Sequence, residues 1–187
     1  MTSKRPRAGQ RAPAKHPTAG QPTAAELHRT KGRAPAGGSP SKPAAGHRAR
    51  SHARRLALQA LYHIQINPRP LAAIQSEFAA DPEAERVDMD YFRALMIAIE
   101  PHREALDSRL AALCEIPPHE LDPIEHAVLW LGLHELESRP ELPYRVALAE
   151  AVELAKQFGA TDGHKFVNAV LDRAARDLRP HEYGLPG

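Results

Sequence analysis

From residue 53 to residue 178, apolar side chains recur every three or four positions, which is the spacing of one face of an α-helix. The same stretch has no alternating run rich in Val, Ile or Thr and no Asn-Gly hairpin turn, so the usual signals of β-strands are missing. Prolines and glycines divide the apolar spacing into short segments. The pattern therefore predicts an all-α fold, a helical bundle of about seven helices.

The helix positions follow from where the apolar spacing starts and stops. Asn67-Pro68 ends the first helix, because the residue before a proline is pushed out of the helical region. Pro101 either kinks the third helix or opens the fourth. Residues 124–136 are apolar nearly all round the helix, which indicates a central, buried helix. The apolar positions that mark the seven predicted helices span 53–64, 71–78, 92–99, 106–113, 124–136, 147–158 and 167–178, and Pro143 opens the sixth helix.

Charge divides the chain into a basic arm and an acidic body. Residues 1–50 contain 11 Lys and Arg against one acid, Glu26, whereas residues 51–187 contain 14 bases and 22 acids. Residues 1–47 lack Phe, Trp, Tyr, Ile and Val, so they cannot bury enough apolar surface to offset the entropy cost of ordering. We therefore predict a disordered Pro/Ala/Gly-rich basic arm at 1–47, a helical domain at 48–180 and a C-terminal tail at 181–187.

Cysteine and hydropathy indicate the compartment. The single cysteine, Cys114, excludes an internal disulfide and suits a reducing environment. No stretch has the roughly eighteen apolar residues of a membrane span, and the N-terminus lacks the apolar region of a secretory signal. An organellar transit peptide is the alternative for the Arg- and Ala-rich start, although its prolines disfavour an amphipathic helix. These features predict a cytoplasmic protein that has no membrane association.

Catalytic motifs are absent from the sequence. It contains no GxSxG elbow, no Walker loop, no GxGxxG after a strand and no HExxH. His126 and His134 lie eight residues apart on one predicted helix, but no third metal ligand is evident. Cys114 follows Leu113 on a packed helix, where a small buried apolar residue is a simpler interpretation than a nucleophile. We therefore predict a non-enzymatic protein with no metal and no cofactor.

Two features favour an anionic partner. Four arginines, at 48, 50, 54 and 55, cluster where the first helix is expected to begin. Cations there repel the helix macrodipole, so the cluster suggests a bound anion more than a plain solvated helix end. The second feature is FGATDGHKFVNAVLDRA, residues 158–174, in which Gly159 ends one helix, Thr161 or Asp162 caps the next and Lys165 lies in its first turn. A helix N-terminus with free N–H groups and a lysine is suited to bind an anion.

Several side chains allow two interpretations. Phe166 lies beside the main apolar face of the last helix and is either core or a platform for base stacking. Asp162 is either a simple N-cap or an acceptor for the amino group of a base. A third patch, with Leu58, Tyr62, Glu125 and Trp130, is either part of the core or a protein-binding face. The sequence leaves these alternatives open.

Five segments in order, over about residues 48 to 180, resemble the NusB family of bacterial transcription antitermination factors. They are ARRLALQALY (53–62), YFRALM (91–96), EHAVLWLGLHEL (125–136), PYRVALAEAVELAKQFG (143–159) and DGHKFVNAVLDRAA (162–175). The resemblance implies two packed three-helix units that pair with NusE, a small-subunit ribosomal protein. It also implies recognition of single-stranded boxA RNA in ribosomal RNA operons, and read-through by RNA polymerase together with NusA and NusG.

The resemblance also implies roles for individual residues. Tyr62 and Glu125 fall on the positions that face NusE. The RNA-binding positions fall on Arg48, Arg50, Arg54, Arg55, Phe158, Asp162, Lys165 and Phe166. The basic arm departs from the family pattern, which begins close to the arginine segment, and it either adds sequence-independent RNA affinity or has no specific role.

Three other classes compete with this interpretation. Ribosomal RNA cytosine methyltransferases can carry a NusB-like domain, but they need a following α/β domain, and only about ten residues follow the bundle here. A nucleic-acid-compacting protein would bind any RNA or DNA through the arm. A pure protein adaptor would not bind RNA at all.

Overall fold

The computed structural model describes the protein over residues 42–80 and 82–184, and its side chains over 46–80 and 84–184. Every regular element in these residues is helical, which confirms the predicted all-α fold. Three short 3-10 turns cover Pro82–Arg86, Glu100–His102 and Pro118–Glu120. The described part of the chain contains seven α-helices: α1 (Lys42–Ile66), α2 (Leu71–Ala79), α3 (Met89–Ile99), α4 (Arg103–Leu113), α5 (Pro123–Ser138), α6 (Tyr144–Phe158) and α7 (Gly163–Leu178).

Helix α1 begins at Lys42, six residues before the predicted start of the domain. Pro43 lies in its first turn, where the missing N–H would be unsatisfied anyway, and alanines follow it. The prediction of disorder through residue 47 considered only the lack of core-forming residues and missed this local helix propensity. The rest of the predicted arm, residues 1–41, lies outside the described residues.

Helix α5 is the centre of the bundle. Every residue from Ile124 to Leu136 is buried, as the all-round apolar pattern predicts. Helices α5, α6 and α7 pack against one another, while α1 packs against α2 and α3, and α4 packs on α5 and α7. A Cβ atom added to Gly132 would lie 2.4 Å from Cδ1 of Leu171, so this glycine lets α7 approach α5 closely.

Two members of the third patch belong to the core. Leu58 and Trp130 are 2% and 3% exposed, so their partner-binding interpretation gives way to a packing role. The indole Nε1 of Trp130 donates to Oδ1 of Asp107 on α4 at 2.7 Å, which satisfies its one polar group. Leu178 shows the opposite difference, because the apolar spacing of the last predicted helix runs through residue 178, yet Leu178 is 38% exposed at the end of α7.

The residues after α7 fold back on the bundle. Nε of Arg179 donates to the carbonyl oxygen of Leu136 at 2.7 Å, near the C-terminus of α5. The backbone N–H of Tyr144 donates to Glu182 at 2.9 Å, and the Tyr183 ring packs on the Tyr144 ring with a centroid distance of 5.0 Å. The packed region therefore continues to Tyr183, past the domain end predicted at 180.

Candidate nucleic-acid interface

Three of the four clustered arginines reach the surface of α1. Arg48 and Arg50 are exposed and Arg55 is half-buried; together they are called the basic face below. Because α1 begins at Lys42, they lie in its second to fourth turns, and the field of the macrodipole falls off within the first turn. The dipole argument for an anionic partner is therefore wrong. The case for such a partner depends instead on which side chains the fold brings together.

Arg54 points into the bundle. Its side chain is 3% exposed, and Nε donates to Oε1 of Glu135 at 2.8 Å. Nη1 donates to Oε2 of Glu150 at 3.2 Å, and Nη2 donates to the hydroxyl of Tyr91 at 3.3 Å. Burial alone would lower the pKa of Arg54, but Glu135, Tyr91 and Glu150 outweigh it, so the pKa is raised and the guanidinium stays charged. Arg54 thus differs from its three neighbours, since its charge is used inside the protein.

Tyr91 on α3 is surrounded by guanidinium groups. The Cζ atoms of Arg50, Arg54 and Arg139 lie 5.1, 5.3 and 5.4 Å from its ring centroid, within cation–π range. Its hydroxyl donates to Glu135 in a very short hydrogen bond. Burial, and then the charge of Glu135, raise the pKa of Tyr91 well above its usual value, so the phenol keeps the proton that it donates. This cluster fixes one side of α1 against α3 and α5.

Arg55 joins the two segments that the sequence singled out. Its Cζ atom lies 6.0 Å from the ring centroid of Phe158, at the limit of a cation–π contact. Arg55 comes from α1 and Phe158 is the last residue of α6, so the fold brings the side of α1 that carries Arg55 beside the loop that begins after Phe158. This adjacency is not visible in the sequence.

The loop between α6 and α7 presents an exposed ion pair. Gly159 is the C-cap of α6 and Asp162 the N-cap of α7, as predicted. The Asp162 carboxylate does not accept a capping hydrogen bond; its Oδ1 lies 2.8 Å from Nζ of Lys165 instead. The two side chains are 71% and 70% exposed, so a ligand can reach both. Phe166 is half-buried against the core, which leaves part of its ring available for stacking.

The two positions that the resemblance assigns to the protein partner have different environments. Tyr62 is half-buried near the C-terminal end of α1, and its ring meets His63 edge-on at 6.2 Å. Glu125 is only 4% exposed, and its Oε1 accepts a hydrogen bond from the backbone N–H of Ala160 at 2.9 Å. Burial, together with the nearby carboxylate of Asp122, raises the pKa of Glu125 to about 6. Tyr62 is therefore accessible to a partner, whereas Glu125 is turned into the loop.

Sequence reasoning missed the residues that hold Arg54. Glu135, Tyr91 and Glu150 were not singled out, although the structure joins all three to this arginine. Glu135 did carry a signal, because it is one of two carboxylates within the mostly apolar stretch 124–136, and a buried charge requires a partner. The identity of that partner, on another helix, had no local signal.

The two histidines of α5 and Cys114 lie in three different environments. No group of three His, Cys, Asp or Glu side chains suited to a metal occurs among the described residues. Nε2 of His126 lies 2.6 Å from Asp107, whereas burial lowers the pKa of His134 to about 4. Burial raises the pKa of the Cys114 thiol, which disfavours the reactive thiolate. Of the helices in residues 42–80 and 82–184, none is both long and apolar enough to cross a membrane.

The chain is similar to known proteins over most of its length. A family model described as the NusB family matches residues 51–176. Transcription antitermination protein NusB of Methylobacillus flagellatus is 44% identical over 149 residues, which are 80% of this chain and 96% of that protein. The protein of the same description from Hahella chejuensis is 46% identical over 133 residues, 71% of this chain and 89% of that protein. A solved structure of T. maritima NusB aligns with a TM-score of 0.62 and 26% identity, over 72% of this chain and 96% of that one.

Proposed function

The chain belongs to the NusB family, and we propose that it acts as a cytoplasmic, non-enzymatic transcription antitermination factor that binds RNA through the basic face of α1 and the α6–α7 loop. Its RNA ligand is a single-stranded boxA element, chiefly in ribosomal RNA operons. Its direct protein partner is NusE, and the complex acts on RNA polymerase with NusA and NusG.

The observation that carries the proposal is the contact between Arg55 and Phe158. It brings α1, along which Arg48, Arg50 and Arg55 are accessible, beside the end of α6, from which the loop leads to the exposed Lys165. Cations on such a surface neutralise backbone phosphates, which positions an RNA strand without reading its sequence. Sequence would be read by stacking on the part-exposed rings of Phe158 and Phe166 and by hydrogen bonds to base edges, as is usual for single-stranded RNA.

Two residues take roles other than those that the resemblance suggests. Arg54 supports the basic face from inside, because its guanidinium is committed to Glu135 and Glu150. Glu125 is buried under the α6–α7 loop, which leaves Tyr62 as the accessible candidate for the contact with NusE. Asp162 remains the candidate acceptor for a base amino group.

The first test is fluorescence anisotropy with a short boxA RNA and a scrambled RNA of the same composition. It uses the full chain and a chain that lacks residues 1–41, each with and without NusE. We expect the shortened chain to prefer boxA and NusE to strengthen that preference. Binding that ignores sequence and disappears with residues 1–41 would instead identify a non-specific nucleic-acid-binding protein that acts through its arm.

Salt dependence and matched variants test the surface itself. If Arg48, Arg50, Arg55 and Lys165 each neutralise one phosphate, log K should fall against log salt with a slope of about −2.8, from roughly −0.7 per phosphate. Arg55→Ala should reduce this slope by about 0.7. Arg69→Ala removes an equal charge from a 41% exposed side chain that is paired with Glu77, beyond the end of α1, and should leave the slope unchanged. Equal effects of the two substitutions would contradict the proposed surface.

A further inference from the structure

The α6–α7 loop is built around a carboxylate from the central helix. Glu125 reaches from the first turn of α5 into the loop, and its Oε1 accepts the N–H of Ala160 at 2.9 Å. This hydrogen bond attaches the loop to α5, two residues before Asp162 and five before Lys165. The side chain is 4% exposed, so it acts from beneath the loop and not from its surface.

Two glycines make room for this carboxylate. A Cβ atom at Gly163 would lie 1.9 Å from Oε1 of Glu125, and one at Gly159 would lie 2.9 Å from the same oxygen. Gly159 has φ of −82°, which any residue can adopt, so the requirement for glycine there is space and not backbone conformation. Glycine at both ends of the loop therefore leaves the space that the Glu125 carboxylate occupies.

Burial makes this position unfavourable for a carboxylate unless the carboxylate has a specific structural role. The second oxygen, Oε2, is buried and has no hydrogen-bond partner among the described residues. A buried acceptor without a partner costs stability, and an apolar side chain at this position would avoid that cost. What an apolar side chain could not do is hold the N–H of Ala160.

We infer that Glu125 is a positioning residue for the RNA-facing loop: by holding Ala160, it sets where Asp162 and Lys165 stand, so RNA affinity depends on a side chain that the RNA does not touch. The inference rests on the proposed function. It differs from the partner contact that the resemblance implies for Glu125, because this role is exerted from beneath the loop by a side chain that is 4% exposed.

Two substitutions of Glu125 separate the hydrogen bond from the charge. Glu125→Ala removes the acceptor and should weaken boxA RNA binding by roughly tenfold, the scale of one hydrogen bond to a charged group. Glu125→Gln keeps an acceptor oxygen in place and should retain affinity within about twofold. In the NMR spectrum, the Ala160 amide proton should move upfield in the Ala variant and stay near its wild-type position in the Gln variant.

Gly163→Ala tests the same contact between Glu125 and the loop, by a change in the loop. Alanine is intrinsically favoured over glycine within a helix, so a loss of affinity must come from the clash with Oε1 and not from helix propensity. We expect the same weaker RNA binding and the same Ala160 shift as in Glu125→Ala. The control is Leu133→Ala, which truncates a buried side chain about 12 Å further along α5. It should lower stability but leave the RNA affinity and the Ala160 amide shift unchanged.

The outcomes separate this inference from the proposed function. If Glu125→Ala binds RNA like the wild type but binds NusE weakly, Glu125 is a partner contact and the inference is wrong. If Leu133→Ala weakens RNA binding as much as Glu125→Ala, the effect is general destabilisation and the positioning role fails. If the wild-type chain itself does not distinguish boxA from the scrambled RNA, the proposed function fails and the RNA part of the inference fails with it.

Discussion

Replacing Arg54 with methionine should destabilise the whole domain, although the residue lies within the basic cluster. Methionine has a similar length and removes the charge, which leaves the carboxylate of Glu135, 1% exposed, without its closest cation. Breaking a buried ion pair by removal of one partner costs about 3–5 kcal/mol. Since a domain of this size loses about 2–4 °C in Tm per kcal/mol, we expect a Tm lower by roughly 6–20 °C.

The assay is urea and thermal unfolding followed by circular dichroism, with Arg48→Met as the control on the exposed face of the same helix. The control should lie within about 0.5 kcal/mol of the wild type, as is usual for surface substitutions. A second substitution, Glu135→Gln, should recover part of the loss in Arg54→Met, because the uncompensated charge is then gone. If Arg54→Met unfolds within 1 kcal/mol of the control, the interior role of Arg54 is refuted.

The pH dependence of the stability of Arg54→Met is an independent test of this role. Burial raises the pKa of Glu135 even though Arg54 lowers it, so removal of Arg54 should raise that pKa further. A carboxylate whose folded pKa lies above its unfolded value takes up a proton on folding, and its contribution to stability is lost as pH rises through the folded pKa. The deficit of Arg54→Met relative to the wild type should therefore shrink between pH 7 and pH 5. A deficit that grows on acidification would contradict the assignment to Glu135.

Three further results are expected. Arg179→Ala should cost about 2–3 kcal/mol in urea unfolding, because Arg179 donates to several carbonyls at the end of α5, and Arg179→Lys should restore only part of it, since lysine lacks the fork of donors. His134, with a pKa lowered to about 4, binds fewer protons in the folded than in the unfolded chain, so the free energy of unfolding should fall as pH falls from 6.5 to 4. This loss, up to about 3 kcal/mol, should be absent from the unfolding curves of His134→Phe. Asp162→Asn should tighten RNA binding in anisotropy titrations if the carboxylate mainly neutralises Lys165, whereas weaker binding to boxA alone would assign Asp162 to a base contact.

The sequence predicted features that depend on local pattern. The all-round apolar stretch 124–136 does form a buried central helix, and Gly159 and Asp162 do occupy the two caps of the loop. The start of α1 was missed because the absence of core residues says nothing about helix propensity at Pro43 and the alanines after it. The exposure of Leu178 was missed because the apolar spacing continues past the point where neighbouring helices cover α7.

The arginine cluster shows why the candidate site could be predicted only in part. Arg54 and Arg55 are adjacent in the sequence, yet one is buried and the other contacts Phe158 near the surface. One helical position is about 100° of rotation, so the difference depends on which side of α1 faces α5 and on a carboxylate from that distant helix. The resemblance transfers residue positions but does not say whether a side chain points into the bundle or to its surface. The same is true of Glu125.

The contact between Arg55 and Phe158 has a consequence for the timing of synthesis. The first helix supplies the arginine, while the ring and the lysine that complete the surface come from the end of α6 and the start of α7. A nascent chain therefore cannot hold RNA in this way until nearly all of the bundle has left the ribosome. Ligand that binds only this finished form also shifts the folding equilibrium toward it, by an amount that grows with ligand concentration. If the chain binds RNA as proposed, the RNA therefore stabilises only the completed bundle.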